Sequence, residues 1–311
     1  MNQKSGFEVI NSGFFTLIQD KGRFSFTHLG VTNSGFMDEF SALYAHKLLN
    51  NSMDTNLLEI SFPNVILKSN VNTIISLTGA ICEFFINDIQ KDIWQTYKIK
   101  KGDILRIGKI LKGQRVYFSV KDGFNIKKDF GSNSTTIKEQ LGGLSGNQLK
   151  KGDFLPCNNC SKIIHNRLKK IYWPSYEDEI VLRVILSYQE DSFSKEEKQK
   201  FFNSTYKISP DFNRMACKLN GEKIKSNLDG IISEGIAFGS IQIPSDGQAI
   251  ILLKERQTIG GYPKIGTVLS IDCFKLSQMK INSNVRFKEI DINTAQEKLR
   301  KFNSIFSKTP F

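Results

Sequence analysis

Ala249-Ile250-Ile251-Leu252-Leu253, then Gln257-Thr258-Ile259-Gly260-Gly261-Tyr262-Pro263-Lys264-Ile265, then Thr267-Val268-Leu269-Ser270-Ile271 follow one another almost without interruption. Two apolar runs of strand length frame a break that holds a glycine pair, a proline and several polar or aromatic side chains. Glycines there let the backbone turn with positive φ or approach a ligand closely, and Pro263 stiffens the exit. Loops held between rigid strands are a favoured location for binding chemistry. An ordinary Gly-Gly hairpin turn is the plainer reading of the same residues.

Outward from this segment the same grammar repeats. Val65 to Leu67, Thr73 to Leu77, Arg115 to Val120, Ile180 to Leu186, Ser240 to Ile243 and Val285 to Ile290 are short apolar runs bounded by Gly, Asn, Asp or Pro. Strands of that length and spacing predict a mainly β chain of barrels or sandwiches rather than a helical bundle. Helical periods are few. Asp38 to Leu49 places Phe40, Leu43, Tyr44 and Leu48 on one side at a spacing of about 3.6 residues. Ser194-Lys195-Glu196-Glu197 is a capping box opening a helix through Phe202. Asn293 to Phe302 reads as a terminal helix. Pro156 to Pro174 is polar, basic and aperiodic, and a strong strand starts afresh at Ile180. The expected organisation is a β-rich domain over 1–160, a linker over 161–179, a second β-rich domain over 180–290, and a helix and tail over 291–311. In that tail Phe302, Phe306 and Phe311 are available to pack back or to meet a partner.

The chain has 311 residues, 40% of them apolar, and a formal net charge of +12. That length holds one large or two ordinary domains of about 100–150 residues. No stretch approaches the roughly 20 apolar residues of a spanning helix. Met1-Asn2-Gln3-Lys4-Ser5-Gly6 lacks an apolar signal-peptide core. The expectation is a soluble cytoplasmic protein without a membrane partner. Lysines are spread through turns such as Lys100-Lys101-Gly102 and Lys150-Lys151-Gly152. Nucleic-acid readers instead concentrate Arg and Lys on one face with interleaved aromatics, so no nucleic-acid partner is expected, and the charge suits a solvated surface, an anionic substrate or an acidic partner. Five scattered cysteines form no disulfide framework. Cys157-Asn158-Asn159-Cys160 has zinc or redox spacing, but with only His165 nearby it lacks a fourth ligand. No metal site is expected.

Several motifs lie in one order along the chain. They are Gln19-Asp20, Gly22-Arg23, His28, Gly30-Val31, Ser34-Gly35, Met37-Asp38, Leu77-Thr78-Gly79-Ala80, Gly131-Ser132 with Ser134-Thr135, and Ser209-Pro210 with Arg214-Met215. Ser233-Glu234-Gly235, Gly239 to Pro244, Asp246-Gly247 and Gln257 to Ile265 complete the set. Over roughly residues 6 to 290 this pattern resembles the biotin-dependent carboxyltransferase-like family, which includes KipA and the C component of bacterial ATP-dependent 5-oxoprolinase. The resemblance implies two cyclophilin-like β-barrel domains with a few short helices and a cleft between them. It implies one component of an enzyme that opens 5-oxoproline to L-glutamate with ATP and Mg2+, the nucleotide being shared with a partner. A KipI-like B component and a separate A component are the implied partners. Two alternatives stay open: carboxyl transfer from carrier-borne biotin to urea or a related small amide, as in urea carboxylase, and a non-catalytic KipA-like regulator of a KipI-type kinase inhibitor.

The candidate site residues follow from these motifs. Arg23 carries the planar fork suited to carboxylate or phosphate; Gln19 lies just before it. His28 either exchanges a proton near neutral pH or braces its loop, whereas His46 falls mid-helix, a packing or surface position. Ser34 and Gly35 precede a helix whose first amides suit an anion. Asp38 is a proton carrier there, or simply favourable to the helix dipole. Lys264 offers a point charge, Gln257 and Thr258 hydrogen bonds, Tyr262 a stacking face, and Gly260 and Gly261 close approach. Arg214 would complete an anion clamp. Gly108-Lys109-Ile110 lacks the Ser or Thr of a phosphate loop, and Gly143-Leu144-Ser145-Gly146 is one residue short of a nucleophile elbow. No biotin attachment sequence occurs.

Overall fold

The computed structural model describes residues 4–307. Phe311, expected to pack or to meet a partner, lies outside the described residues. The chain divides into two compact units, one of residues 4–24 and 34–176, the other of residues 25–33 and 177–307.

The first unit is built on nine strands: β1 (Gly6–Ser12), β2 (Thr16–Gln19), β3 (Leu57–Ile60), β4 (Val65–Ser69), β5 (Thr73–Ile86), β6 (Ile89–Gln90), β7 (Gln95–Ile99), β8 (Ile104–Val120) and β9 (Phe154–Pro156). They form one half-barrel sheet in the order β2-β3-β8-β4-β1-β9, with β5 pairing β8, β7 and β6. β5 and β8 are the long pair, and their register shifts between Gly79 and Phe84. Such bulges bend a strand and sharpen its twist. Gly79 makes the bend (φ 91°): a Cβ there would sit 2.3 Å from the Arg115 carbonyl oxygen, so a side chain is excluded. Phe7, Leu58, Leu77, Phe84, Trp94, Val116 and Phe118 form the core. Helix α1 (Glu39–Leu49) lies against β5, with Ser76 and Thr78 hydroxyls donating to its Ala45 and Ser41 carbonyls. Its buried positions run nearly all round, from Ser41 to Leu49, a wider face than the apolar spacing suggests.

Residues 161–176, which the sequence suggests as linker, are hydrogen-bonded into this unit. Thr96 and Leu168 amides bond to the Asn166 and Trp94 carbonyls, the Asn166 amide group donates to the Leu48 carbonyl, and Trp173 stacks on Trp94 at 6.1 Å. Polar composition here reflects an edge-covering strap, whose polar groups serve as its hydrogen-bonding partners.

The second unit contains β10 (Glu179–Leu186), β11 (Tyr206–Phe212), β12 (Ala216–Asn220), β13 (Glu234–Gly235), β14 (Ser240–Gln242), β15 (Ile250–Leu252), β16 (Ile259–Gly260), β17 (Lys264–Val268) and β18 (Asn284–Glu289). Seven of them close a barrel in the order β10-β17-β14-β15-β12-β11-β18. Closure is made by a parallel pairing of β10 with β18, from Glu179 opposite Asn284 to Val184 opposite Glu289. Alternation fits this register: Ile180 and Leu182, opposite Val285 and Phe287, all point inward, as does Val184, the two-residue period of a strand. β13 and β16 form a separate two-stranded ribbon.

Helix α2 (Lys195–Asn203) begins where the Ser194 hydroxyl accepts from the Glu197 amide, as the capping box predicts. Its Phe201 stacks on Phe287 at 4.3 Å, a burial worth about 2–3 kcal/mol. Thr267 to Ile271 is not one strand. β17 ends at Val268 and α3 (Ser270–Leu276) starts two residues later, so the apolar run spans a strand end and a helix start. Helix α4 (Ile292–Ser307) is longer than the periodicity suggests and packs Phe302 against Phe274 of α3 at 5.6 Å.

Candidate functional site

In the first unit, the turn after β2 is knitted to residues 129–136. The Asp20 carboxylate, almost wholly buried, accepts from the Gly22 amide (2.8 Å), the Ser132 and Ser134 hydroxyls (2.5 and 2.6 Å) and the Asn133 amide (2.6 Å). A carboxylate saturated by short donors organises a loop. Arg23 is 1% exposed. Its guanidinium donates to the Asp129 carbonyl (3.2 Å), the Thr136 hydroxyl (3.0 Å) and the Ser134 carbonyl. The fork that suits an anion is thus enclosed as a brace. Gln19, also buried, donates to the Thr135 carbonyl (2.9 Å) and accepts from the Gly35 amide (3.1 Å) and the Ser34 hydroxyl (3.3 Å). The structure therefore brings Gln19, Ser34 and Gly35 together, as one hydrogen-bonded knot.

Asp38 caps α1, its carboxylate accepting from the Ser41 amide (3.1 Å) and hydroxyl (2.6 Å). The Tyr117 hydroxyl accepts from the Asp38 amide (2.7 Å) and donates to Glu59 (3.0 Å), which lies 3.8 Å from Arg115. Burial, and then the negative charges of Glu59 and Asp38, push the Tyr117 hydroxyl well above its ordinary value. It remains a fixed neutral donor.

In the second unit, Lys264 stands on β17 rather than in the loop before it. Its ammonium, buried to 5% exposure, bonds the Glu234 carboxylate of β13. The same carboxylate accepts from the Tyr188 hydroxyl and from Gln189 (3.0 Å), and Gln189 in turn accepts from the Lys264 amide (2.8 Å). The Lys264 bond, followed by that of Tyr188, holds the Glu234 carboxyl below the usual range. Beside them Gln242, 6% exposed, lies directly across from Lys264 on β14. Its Nε2 has no hydrogen-bond partner.

Gly260, on β16, presses on that amide: a Cβ there would come within 2.8 Å of Gln242 Nε2 and 2.6 Å of Ile236. Gly261 and Thr258 serve the ribbon through their carbonyls, which accept from Ile231 (2.8 Å) and Ile236 (3.2 Å). Gln257 and Tyr262 are exposed. Arg214 is buried against Glu255 at 2.5 Å, so its charge is already matched. His28 sits exposed in a single helical turn, Thr27–Leu29. Its segment is tied to the unit by Arg256, which donates to Asn33 (3.1 Å), to the Ile236 carbonyl (2.8 Å) and to the Leu253 carbonyl (3.3 Å).

The sequence alone does not single out Arg256, Glu234, Tyr188, Gln189 and Gln242. Glu234 and Gln242 do stand inside the ordered motifs, and only their long-range pairing is hidden. Among the described residues no cluster of three or more His, Cys, Asp or Glu could hold a metal ion.

The family described as "Carboxyltransferase domain, subdomain A and B" matches residues 29–289. The chain belongs to this carboxyltransferase family. The domain is 28% identical over 307 residues to the C subunit of 5-oxoprolinase from Escherichia coli, covering 96% of this chain and 97% of that one. It is 29% identical to the same-named protein of Haemophilus influenzae, over 93% and 92%. Urea amidolyase of Lachancea kluyveri is 26% identical over 94% of this chain but only 17% of its own length. The solved urea amidolyase of Kluyveromyces lactis superposes with a TM-score of 0.92 over 99% of this chain, at 24% identity. The carboxyltransferase domain spans about a fifth of that larger chain, 20%, and the likeness is one of fold. No described helix is long and apolar enough to cross a membrane.

Proposed function

We propose that this carboxyltransferase-family chain works as the C component of an ATP-dependent 5-oxoprolinase. With partner A and B components it would open 5-oxoproline to L-glutamate in the cytoplasm. The observation that carries this reading is the end-to-end correspondence with the C subunit of 5-oxoprolinase, 96% of one chain on 97% of the other. Urea amidolyase matches through 17% of its length.

The chemistry explains the need for ATP. An amide carbonyl is a poor electrophile, and phosphorylating its oxygen creates a leaving group on a carbon that water can attack. Such a reaction needs oriented donors and cations around the developing charge. Arg23 and Arg214 are bound into a carbonyl brace and an ion pair. We therefore assign the binding of ATP with Mg2+ chiefly to the partner components. This chain's share is to bind and orient the lactam acid through the Lys264 neighbourhood. Asp38 is bound as a cap by Ser41 and acts as scaffold; His28, being exposed, remains the candidate proton carrier.

The fold likeness to urea amidolyase favours a second reading, carboxyl transfer from carrier-borne biotin to a small amide. Reconstitution separates the two. The chain with its A and B partners should release glutamate from 5-oxoproline only with ATP, and the chain alone should release negligible amounts. Equal release by the single chain, or none by the full set, would overturn the proposal.

A further inference from the structure

Lys264, Tyr188 and Gln189 converge on one carboxylate, and that carboxylate belongs to the protein itself. Glu234 fills the position from β13, while its side chain keeps 33% exposure and that of Lys264 only 7%. A buried ammonium needs a counter-charge. Here the counter-charge arrives on a ribbon of two residue pairs, Glu234 opposite Gly260 and Gly235 opposite Ile259, that is no part of the barrel. Ile232, just before this ribbon, and Ile259 on it stand 93% and 58% exposed, and Ile236, just after it, is the buried apolar anchor beside Gly260.

Under the ribbon lies the second observation. Gln242 Nε2 is enclosed without a partner, which is costly for a buried amide. Opposite residues on adjacent strands have Cβ atoms about 4.5–5.5 Å apart, so Gln242 and Lys264 can reach two groups of one small molecule. What covers the amide is Gly260 of the same ribbon.

We propose that the β13–β16 ribbon is a latch over a binding site for a small lactam acid, with Glu234 standing in for the ligand's carboxylate at Lys264, Tyr188 and Gln189. When the ribbon lifts, the ligand carboxylate takes the place of Glu234 and its ring carbonyl accepts the hydrogen bond that Gln242 Nε2 lacks. The choice of 5-oxoproline as that acid rests on the function proposed above; the latch does not.

The test is binding to the full chain, followed by calorimetry with 5-oxoproline (carboxylate and lactam), L-proline (carboxylate alone) and 2-pyrrolidinone (lactam alone). Glu234→Gln weakens the internal stand-in and is expected to tighten 5-oxoproline at least tenfold, because the open state becomes more populated. Lys264→Met should abolish binding of both acids. Gln242→Met should bring 5-oxoproline down to the affinity of L-proline while keeping or raising Tm, since it deletes an unpartnered amide. Unchanged or weaker 5-oxoproline binding by Glu234→Gln would overturn the latch, and a Tm loss of several degrees in Gln242→Met would show a structural amide. If the reconstituted complex releases no glutamate yet Glu234→Gln gains affinity, the function falls and the latch stands. Turnover without that gain removes the latch alone.

Discussion

Arg183 holds Asp272 by a two-pronged bond, Nε to Oδ2 at 2.8 Å and Nη2 to Oδ1 at 2.5 Å, and the Arg183 backbone amide adds a third at 2.9 Å. The pair joins barrel strand β10 to helix α3, and Asp272 is almost wholly buried. Asp272→Ala leaves a guanidinium and a backbone amide unsatisfied. It should cost about 2–4 kcal/mol in chemical denaturation. Arg183→Lys keeps the charge but loses the fork, and should cost less than half as much.

Asp20→Asn tests the loop knot of the first unit. The amide would present an NH2 to donors that now converge on oxygen, the Ser132 and Ser134 hydroxyls and the Gly22 and Asn133 amides. An expected loss of about 2–3 kcal/mol should appear in denaturant melts. Hydrogen exchange should quicken in residues 129–136 first.

His46 sets a pH dependence. It is wholly buried, its Nδ1 3.2 Å from the Ser119 hydroxyl, and burial pulls its pKa down to about 3, against smaller opposing effects of Thr55 and Asp54. Protonation therefore favours the unfolded chain. The stability from neutral His46 is complete above the unfolded value near 6.5 and is lost as pH falls towards the folded value. The loss should reach about 2 kcal/mol by pH 5. Stability curves of His46→Gln between pH 5 and 7 should lack this slope.

Gly260→Ala places a methyl group against Gln242 and Ile236. The ribbon should be propped away from the barrel, with amide exchange at Ile259–Tyr262 rising at least tenfold and Tm falling by only a few degrees. Unaltered exchange would mean that the ribbon closes over the methyl group.

Among the thiols, Cys82 and Cys157 are pushed up to about 12 by burial, and Cys217 and Cys273 are buried too. Cys160 is half-buried. Iodoacetamide at pH 7.5 should alkylate Cys160 alone in the native protein, by intact-mass measurement, and all five after denaturation.

The barrel strands are legible in the sequence because Ile180, Leu182 and Val184, or Val285 and Phe287, alternate with other residues in a way only a strand satisfies. Thr267 to Ile271 misleads because a continuous apolar run has no period to divide strand from helix. The chemistry of Arg23 suggests a receptor. Its partners Asp129, Ser134 and Thr136 lie more than a hundred residues away in the chain, a closure that no local pattern announces. Lys264 stands out in its glycine-rich run, and Glu234 lies in a motif of its own, but the ion pair between them appears only once β13 is laid over β17. Gln242 shows the limit most clearly, since an unpartnered amide is defined by what surrounds it.

The parallel closure of the barrel has a consequence for synthesis. β10 cannot find its neighbour β18 until residue 289 has left the ribosome, so from the emergence of the one until that of the other the second unit exposes open strand edges, which invite pairing with other chains. Residues 25–33 belong to that unit and are held through Arg256, so their native contacts wait for a part of the chain made long after them.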